Sequence, residues 1–260
     1  MSAGDSRRVI ALRLAFDGAR YHGWQEQAAD ATVAGTLKAA VRRVCPDAGP
    51  ITGCSRTDAG VHALRYCASF KTGSAIPAER LPRAVNTYLP PDIVVSAAAV
   101  APEGFNAILS CEKKEYVYKV HNAETRDPFL YRRTLFYPRA LDLDKMRRAA
   151  AGFVGERDFA AVRSVGSPTR TTVRTVFRCE VEKSGAEVAI SVCADGFLYN
   201  MARAIVGTLL YVSEGKIQPD AIPALLETRD RNVMGPTAPA EGLYLSRIWY
   251  GGTVGEMMEG

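Results

Sequence analysis

The chain has 260 residues, 47% of them hydrophobic and 23% charged, with a formal net charge of +5. That length allows one large domain or two intimate halves around a sizeable core, and no apolar run reaches the ~18–20 residues that a membrane span needs. The mild positive charge permits an anionic partner such as nucleic acid without demanding one. The six cysteines form no C-x-x-C, and no apolar leader follows "MSAGDSRR"; reduced thiols and a cytoplasmic location are expected.

In chain order, "VIALRLAF" (9–16) alternates, with Ile10, Leu12, Leu14 and Phe16 on one face of a half-buried strand. An aromatic-rich loop, "DGARYHGWQEQ", follows. "TVAGTLKAAVRRV" places Val33, Leu37, Val41 and Val44 on one helical stripe. "VHALRYCASF" alternates again, with Leu64, Tyr66, Ala68 and Phe70 together. "IPAERLPRAVNTYL" reads as a helix interrupted at Pro82, and "DIVVSAAAV" as a strand.

The second part has the same flavour. "KEYVYKVHN" is strand-like, and "LDLDKMRRAAAGFVG" is a helix with Leu143, Met146, Ala150 and Phe153 facing inward. "TVFRCEVEKSGAEVAISVCA" reads as a hairpin about Ser184-Gly185. "FLYNMARAIVGTLLYVSEG" is a long helix carrying Met201, Ile205, Leu209 and Val212, with Gly215 placed to cap its end. "EGLYLSRIWY" is a last strand. Strands and helices mixed with hairpin patterns point to an α+β fold with a largely antiparallel sheet. The strand–Asp17-Gly18-x-x-Tyr21–helix pattern echoes strand–Asp195-Gly196-x-x-Tyr199–helix, which leaves internal duplication open.

Several chemistries lack their motif. There is no G-x-x-x-x-G-K-[ST] phosphate cradle and no G-x-G-x-x-G after a strand. "GCSRT" misses the G-x-S-x-G nucleophile elbow because Thr57 stands in the second glycine's place. The three histidines, His22, His62 and His121, are far apart, without the local ligand pairs of zinc sites; His62 reads as an ordinary polar residue at a strand start. No metal or cofactor is expected.

The informative stretch is "GCSRTDAGVHAL" (53–64), a small polar loop between two apolar elements. Asp58-Ala59-Gly60 has turn chemistry, since Asp bonds its own backbone and Gly accepts positive φ. Arg56 can be a surface partner worth well under ~1 kcal/mol. Read alone, the loop can be a turn or a site.

The same stretch resembles the signature of the bacterial tRNA pseudouridine synthase A family. Other segments do too, in the family's order: "FDGARYHGWQEQ" (16–27), "KKEYVYKV" (113–120), "GFLYNMARAIVG" (196–207) and "EGLYL" (241–245). Departures are Arg65-Tyr66 where the family usually has Gln-Val, Ile108 where an arginine is common, and "MAR" for "MVR".

The resemblance implies a pseudouridine synthase fold: two similar halves contributing to one largely antiparallel sheet, flanked by helices, with an active-site cleft between them. The N-terminal half would span 8–105 and the C-terminal half 106–250, with flexible ends at 1–7 and 251–260. It also implies isomerisation of uridine to pseudouridine at positions 38–40 of the tRNA anticodon stem-loop, by a homodimer that grips tRNA. Asp58 would be the catalytic nucleophile. Arg56 and Arg203 would be its cations, Tyr116 the stacking residue on the flipped uracil, and Leu243 an apolar wall. Tyr118 shares the face of Tyr116 but reads as core. Arg20, Lys38, Arg42, Arg43, Lys113 and Lys114 are candidates for phosphate contact. If one site exists, the functional groups of Asp58, Tyr116 and Arg203 converge within about 10 Å of one another, because one flipped nucleotide must touch them all.

Overall fold

The computed structural model describes residues 7–164, 166 and 169–260; residues 1–6 of the expected N-terminal flexible end lie outside these. The chain forms two compact units. One comprises Met1–Glu112 with Leu245–Gly260, the other Lys113–Tyr244.

The first unit contains β1 (Arg8–Phe16), α1 (Val33–Val44), β2 (Thr52–Gly53), β3 (His62–Thr72), α2 (Leu81–Asn86) and β4 (Ile93–Ala101). The second contains β5 (Lys113–His121), β6 (Leu135–Phe136), α3 (Leu143–Ala151), β7 (Gly155–Asp158), β8 (Val173–Ser184), β9 (Glu187–Ala194), α4 (Met201–Ser213) and α5 (Ile222–Glu227). The chain then runs through β10 (Leu243–Trp249) back into the first unit and ends in α6 (Gly252–Glu259). β1–β3, β1–β4, β2–β3, β5–β9, β7–β8 and β8–β9 pair antiparallel and β5–β6 parallel, so the class is α+β as expected.

In the first unit the strand order is β4-β1-β3-β10, with β2 on β3. β1 lies between β3 and β4, with Ile10 opposite both Phe70 and Val100. It is therefore more buried than its alternation suggests: Ala11 is buried along with Ile10 and Leu12. Where β1 meets β3, the register jumps from Leu14↔Tyr66 to Phe16↔Ala63, which inserts one extra residue in β3. Such a bulge re-aims side chains. Leu64 consequently points to solvent and does not share the core face with Tyr66 and Phe70. α1 buries the expected Val33, Leu37 and Val41, and its N-cap Thr32 accepts from the Gly35 N–H. Pro82 does not interrupt a helix; it sits in the first turn of α2, where a missing N–H costs nothing.

The last ten residues also differ from the loose end expected. α6 packs against β4 and buries Val254 and Met258. Arg13 of β1 donates to the Met257 carbonyl at 2.9 Å, and Arg65 of β3 donates to those of Met258 at 3.1 Å and Glu259 at 3.3 Å. Two guanidiniums thus satisfy the carbonyls at the negative end of the helix. Arg65, a departure from the family pattern, acts in this cap.

In the second unit the order is β5-β9-β8-β7, with β6 on β5. The β8–β9 hairpin turns at Gly185, whose φ is +58°. α3 packs on α4 and β8. Gly215, at φ +74°, follows the C-cap Glu214 of α4 as expected. Lys216, then Tyr137, hold the Glu214 carboxyl down to about 2. No helix among the described residues is long and apolar enough to cross a membrane.

Candidate active site

The Asp58 loop joins β2 to β3 and is fixed largely through its main chain. The Cys54 N–H donates to the Cys67 carbonyl at 2.9 Å, and the Val61 N–H to the Asp58 carbonyl at 3.2 Å. The latter closes a four-residue turn with Gly60 at φ +81°. The turn chemistry read from the sequence is therefore real, and it is the device that presents Asp58.

Beneath the loop lies the aromatic segment 16–24. The Trp24 N–H donates to the Thr57 carbonyl at 3.1 Å, and the Gly60 N–H to the Tyr21 carbonyl at 3.2 Å. The approach leaves no room for side chains. A Cβ on Gly23, which has φ +86°, would lie 2.3 Å from the Thr57 carbonyl oxygen, and one on Gly18 would lie 1.9 Å from that of Val61. Trp24 stacks on Tyr66 with ring centroids 4.3 Å apart. The Tyr66 hydroxyl donates to the Ser55 carbonyl. His62 is buried, with its Nδ1 3.1 Å from both the Gly18 N–H nitrogen and Asp17 Oδ1. It is a buried part of the same support, not merely a polar residue at a strand start. Thr57 is buried, and its hydroxyl has no hydrogen-bond partner among the described residues.

On this platform Asp58 is half-buried and Arg56 exposed. The loop thus holds a carboxylate at the surface two residues along the chain from a guanidinium. The sequence reading picked out Arg56 and Asp58 but missed the roles of Gly23, Trp24, Tyr66 and His62. Their signal was present in "FDGARYHGW": glycines spaced among aromatics fit a segment that approaches another backbone closely.

In the second unit, Tyr116 is buried on β5, opposite Val192, and meets Phe197 edge-on at 4.8 Å. Tyr118 is fully buried, and its hydroxyl donates to the Pro239 carbonyl at 2.8 Å. Burial pushes its phenol above the ordinary value. Tyr118 therefore has the core role expected of it. Between the two tyrosines and the strand start, buried Glu115 pairs with Arg178.

Arg203 projects from the first turn of α4. Its Nε donates to the Ala238 carbonyl at 2.7 Å, and its Nη1 to Asn200 Oδ1 at 2.9 Å. Asn200 precedes the helix in the left-handed region, at φ +61°, and its amide donates to Ser164 Oγ at 2.9 Å. The backbone of α4 also touches the 235–238 segment: a Cβ on Gly207 would lie 1.7 Å from the Pro236 carbonyl oxygen. Segment 238–243 thus collects the bonds of Arg203 and Tyr118 and then delivers buried Leu243 at the start of β10. Arg203 is held by its neighbours and is not a loose surface arginine.

Among the phosphate candidates, Lys38 pairs with Glu26 at 2.8 Å and Arg20 with Asp92 at 3.3 Å, while Arg42 and Arg43 are exposed on α1. Among the described residues, no three His, Cys, Asp or Glu side chains are grouped as metal ligands would be.

A family model described as tRNA pseudouridine synthase matches residues 149–251. The tRNA pseudouridine synthase A of Acetivibrio thermocellus is 42% identical over 243 residues, covering 94% of this chain and 100% of the relative. Proteins of the same name from Caldicellulosiruptor bescii and Geotalea uraniireducens are each 41% identical over 243 residues, with the same coverage.

Proposed function

We infer the reaction from one premise: the chain belongs to the tRNA pseudouridine synthase A family and is an isomerase that forms pseudouridine in tRNA. The target we propose is uridine at positions 38–40 of the anticodon stem-loop, with Asp58 as the catalytic nucleophile. The observation that carries this reading is the single carboxylate presented on a loop whose backbone is fixed from below by segment 16–24.

The isomerisation breaks N1–C1′, turns the uracil over, joins C5 to C1′, and moves a proton from C5 to solvent while N1 gains one. No electrons are exchanged with a partner and no high-energy donor is consumed. Glycoside hydrolysis commonly needs two carboxylates; here one suffices, because the base itself returns as the nucleophile. Asp58 attacks C1′, or it steers proton loss at C2′ to give a glycal. Both routes use the carboxylate of Asp58.

The target base is stacked in RNA and must be turned out, at a cost of a few kcal/mol. In this proposal Arg56 fills the vacated space and Tyr116 stacks on the uracil. Arg203 supplies a second positive charge toward the same nucleotide, and Leu243 gives the base an apolar wall. The enzyme works as a homodimer in the cytoplasm, a reducing compartment that suits a chain of six cysteines with no C-x-x-C.

The decisive experiment measures tritium release from C5-labelled uridine in tRNA and maps the modified positions in tRNA from cells lacking the gene. Loss of pseudouridine confined to 38–40 supports the assignment. Loss elsewhere moves the target, and near-normal turnover by Asp58→Asn removes the nucleophile role. Light scattering of the purified protein tests the dimer.

A further inference from the structure

We propose that the turn 126–133 in the second unit, with the cavity beside it, binds an unpaired nucleotide of tRNA other than the target uridine. This rests on tRNA being the substrate.

The turn exposes aromatic surface that a folded chain ordinarily hides: Phe129 is 84% and Tyr131 70% exposed. Isolated exposed apolar residues are common, but two aromatics exposed in one turn, one of them lining a concavity, fit an interaction site. Its backbone is nonetheless well tied. Asp127 Oδ1 accepts the Phe129 N–H at 2.9 Å, and the Leu130 carbonyl accepts the Arg133 N–H at 2.9 Å. Arg132 is held in the left-handed region at φ +58°. The Tyr244 hydroxyl donates to the Arg133 carbonyl at 2.7 Å, anchoring the turn to the start of β10. The aromatics are thus presented rigidly, which lowers the ordering cost of binding.

The cavity has a volume of about 510 Å³, and its lining includes Arg126, Tyr131, Arg132, Phe136, His121 and Glu241. The Arg126 guanidinium lies over the Phe136 ring at 4.9 Å. Three arginines, 126, 132 and 133, outnumber Glu124 and Asp127 in this stretch. Aromatic rings interleaved with guanidiniums, beside a pocket of nucleotide size, are what single-stranded RNA uses: bases stack on the rings and phosphates meet the cations. Glu241 adds an acceptor suited to a base amino group or a 2′-hydroxyl. A contact between copies of the chain would instead favour a core depleted of charge.

One lining residue, Glu241, lies two residues before Leu243 in the chain. Glu241 stands in segment 238–243, which receives the Tyr118 and Arg203 hydrogen bonds and carries Leu243.

The test compares wild-type enzyme with the double variant Phe129→Ala/Tyr131→Ala and with Arg126→Gln, using a full-length tRNA transcript. We expect the double variant to raise the tRNA Kd at least about tenfold, or about 1.4 kcal/mol, with melting temperature and kcat at saturating tRNA unchanged. Arg126→Gln should lower the slope of log Kd against log salt by about one. Photocrosslinking of thiouridine-substituted tRNA to the 126–133 peptide supports the proposal. An unchanged Kd in the double variant overturns it. A halved molar mass by light scattering, with unchanged tRNA affinity, assigns the surface to a second copy and likewise overturns it. The readout is binding, so a failure of the 38–40 assignment or of the Asp58 role leaves this result standing.

Discussion

The Asp58 loop and the Arg203 corner hold their functional groups in opposite ways. Around Asp58 the support is made of main chain on main chain: Trp24 N–H to Thr57, Gly60 N–H to Tyr21, and glycines where a Cβ would collide. Around Arg203 the side chain is itself the fastener, donating to Ala238 and Asn200. The first arrangement separates the proposed chemistry from stability, since the Asp58 side chain can be changed without removing its scaffold. The second merges them, since removing the guanidinium leaves the Ala238 carbonyl short of a partner. Substitutions in the two regions should therefore differ in kind as well as in size.

The largest effect should come from Asp58→Asn. It keeps size and most hydrogen bonding, so turnover in tritium release becomes undetectable while melting temperature and tRNA Kd stay near wild type. A clear fall in melting temperature would break the contrast just drawn. Next comes Gly23→Ala, which forces a side chain into a left-handed position and against the Thr57 carbonyl. A cost of roughly 1–3 kcal/mol follows from the backbone alone. Turnover of the folded fraction should fall further, because the Asp58 loop must shift.

Arg203→Ala should cost about 1–3 kcal/mol in thermal unfolding, the usual penalty of a buried carbonyl losing a charged donor, together with lost turnover. Arg203→Lys should recover stability only in part, because a single ammonium cannot reproduce two fixed donors. The tyrosines sharpen the same distinction. Tyr116→Phe keeps the stacking ring, so turnover should survive if stacking is its only role and fall steeply, with tRNA affinity kept, if its hydroxyl relays a proton. Tyr118→Phe should lower the melting temperature through the orphaned Pro239 carbonyl and leave turnover of the folded enzyme intact. The reverse pattern would exchange their roles.

The smallest effect concerns Glu214, at the end of α4, whose carboxyl is held low by Lys216 and Tyr137. A depressed carboxyl stabilises the fold above its unfolded pKa of about 4.5 and loses that contribution as pH falls toward about 2. Glu214→Gln should therefore melt slightly lower than wild type at pH 7, with the difference closing between those two values.

Much of this fold was legible where one period ran long enough. The stripe of Val33, Leu37 and Val41 marked α1, and Gly185 marked the hairpin. The pattern failed where geometry broke the period. The extra residue in β3 turned Leu64 outward, and no count of alternating residues reveals a bulge. β6, β7 and α5 are too short to show a period. α6 contains Gly252 and Gly255 and gains its stability from Arg13 and Arg65, which lie far away in sequence. In the candidate site, the charged residues Asp58 and Arg56 stood out in the loop sequence. Their supports did not, because a backbone carbonyl such as that of Thr57 or Ala238 has no letter of its own.

The bare backbone contact between Gly207 and Pro236 bears on evolvability. With no side chain between helix and segment, neither partner can drift alone: a methyl at Gly207 meets the Pro236 carbonyl, and one at Gly235 meets that of Gly207. A saturation library selected for function should be nearly silent at these positions and permissive at Phe129 and Tyr131 as far as folding is concerned. Under the proposed role of the exposed turn, new tRNA preferences can arise there, while changes at the corner that seats Arg203 cost the fold.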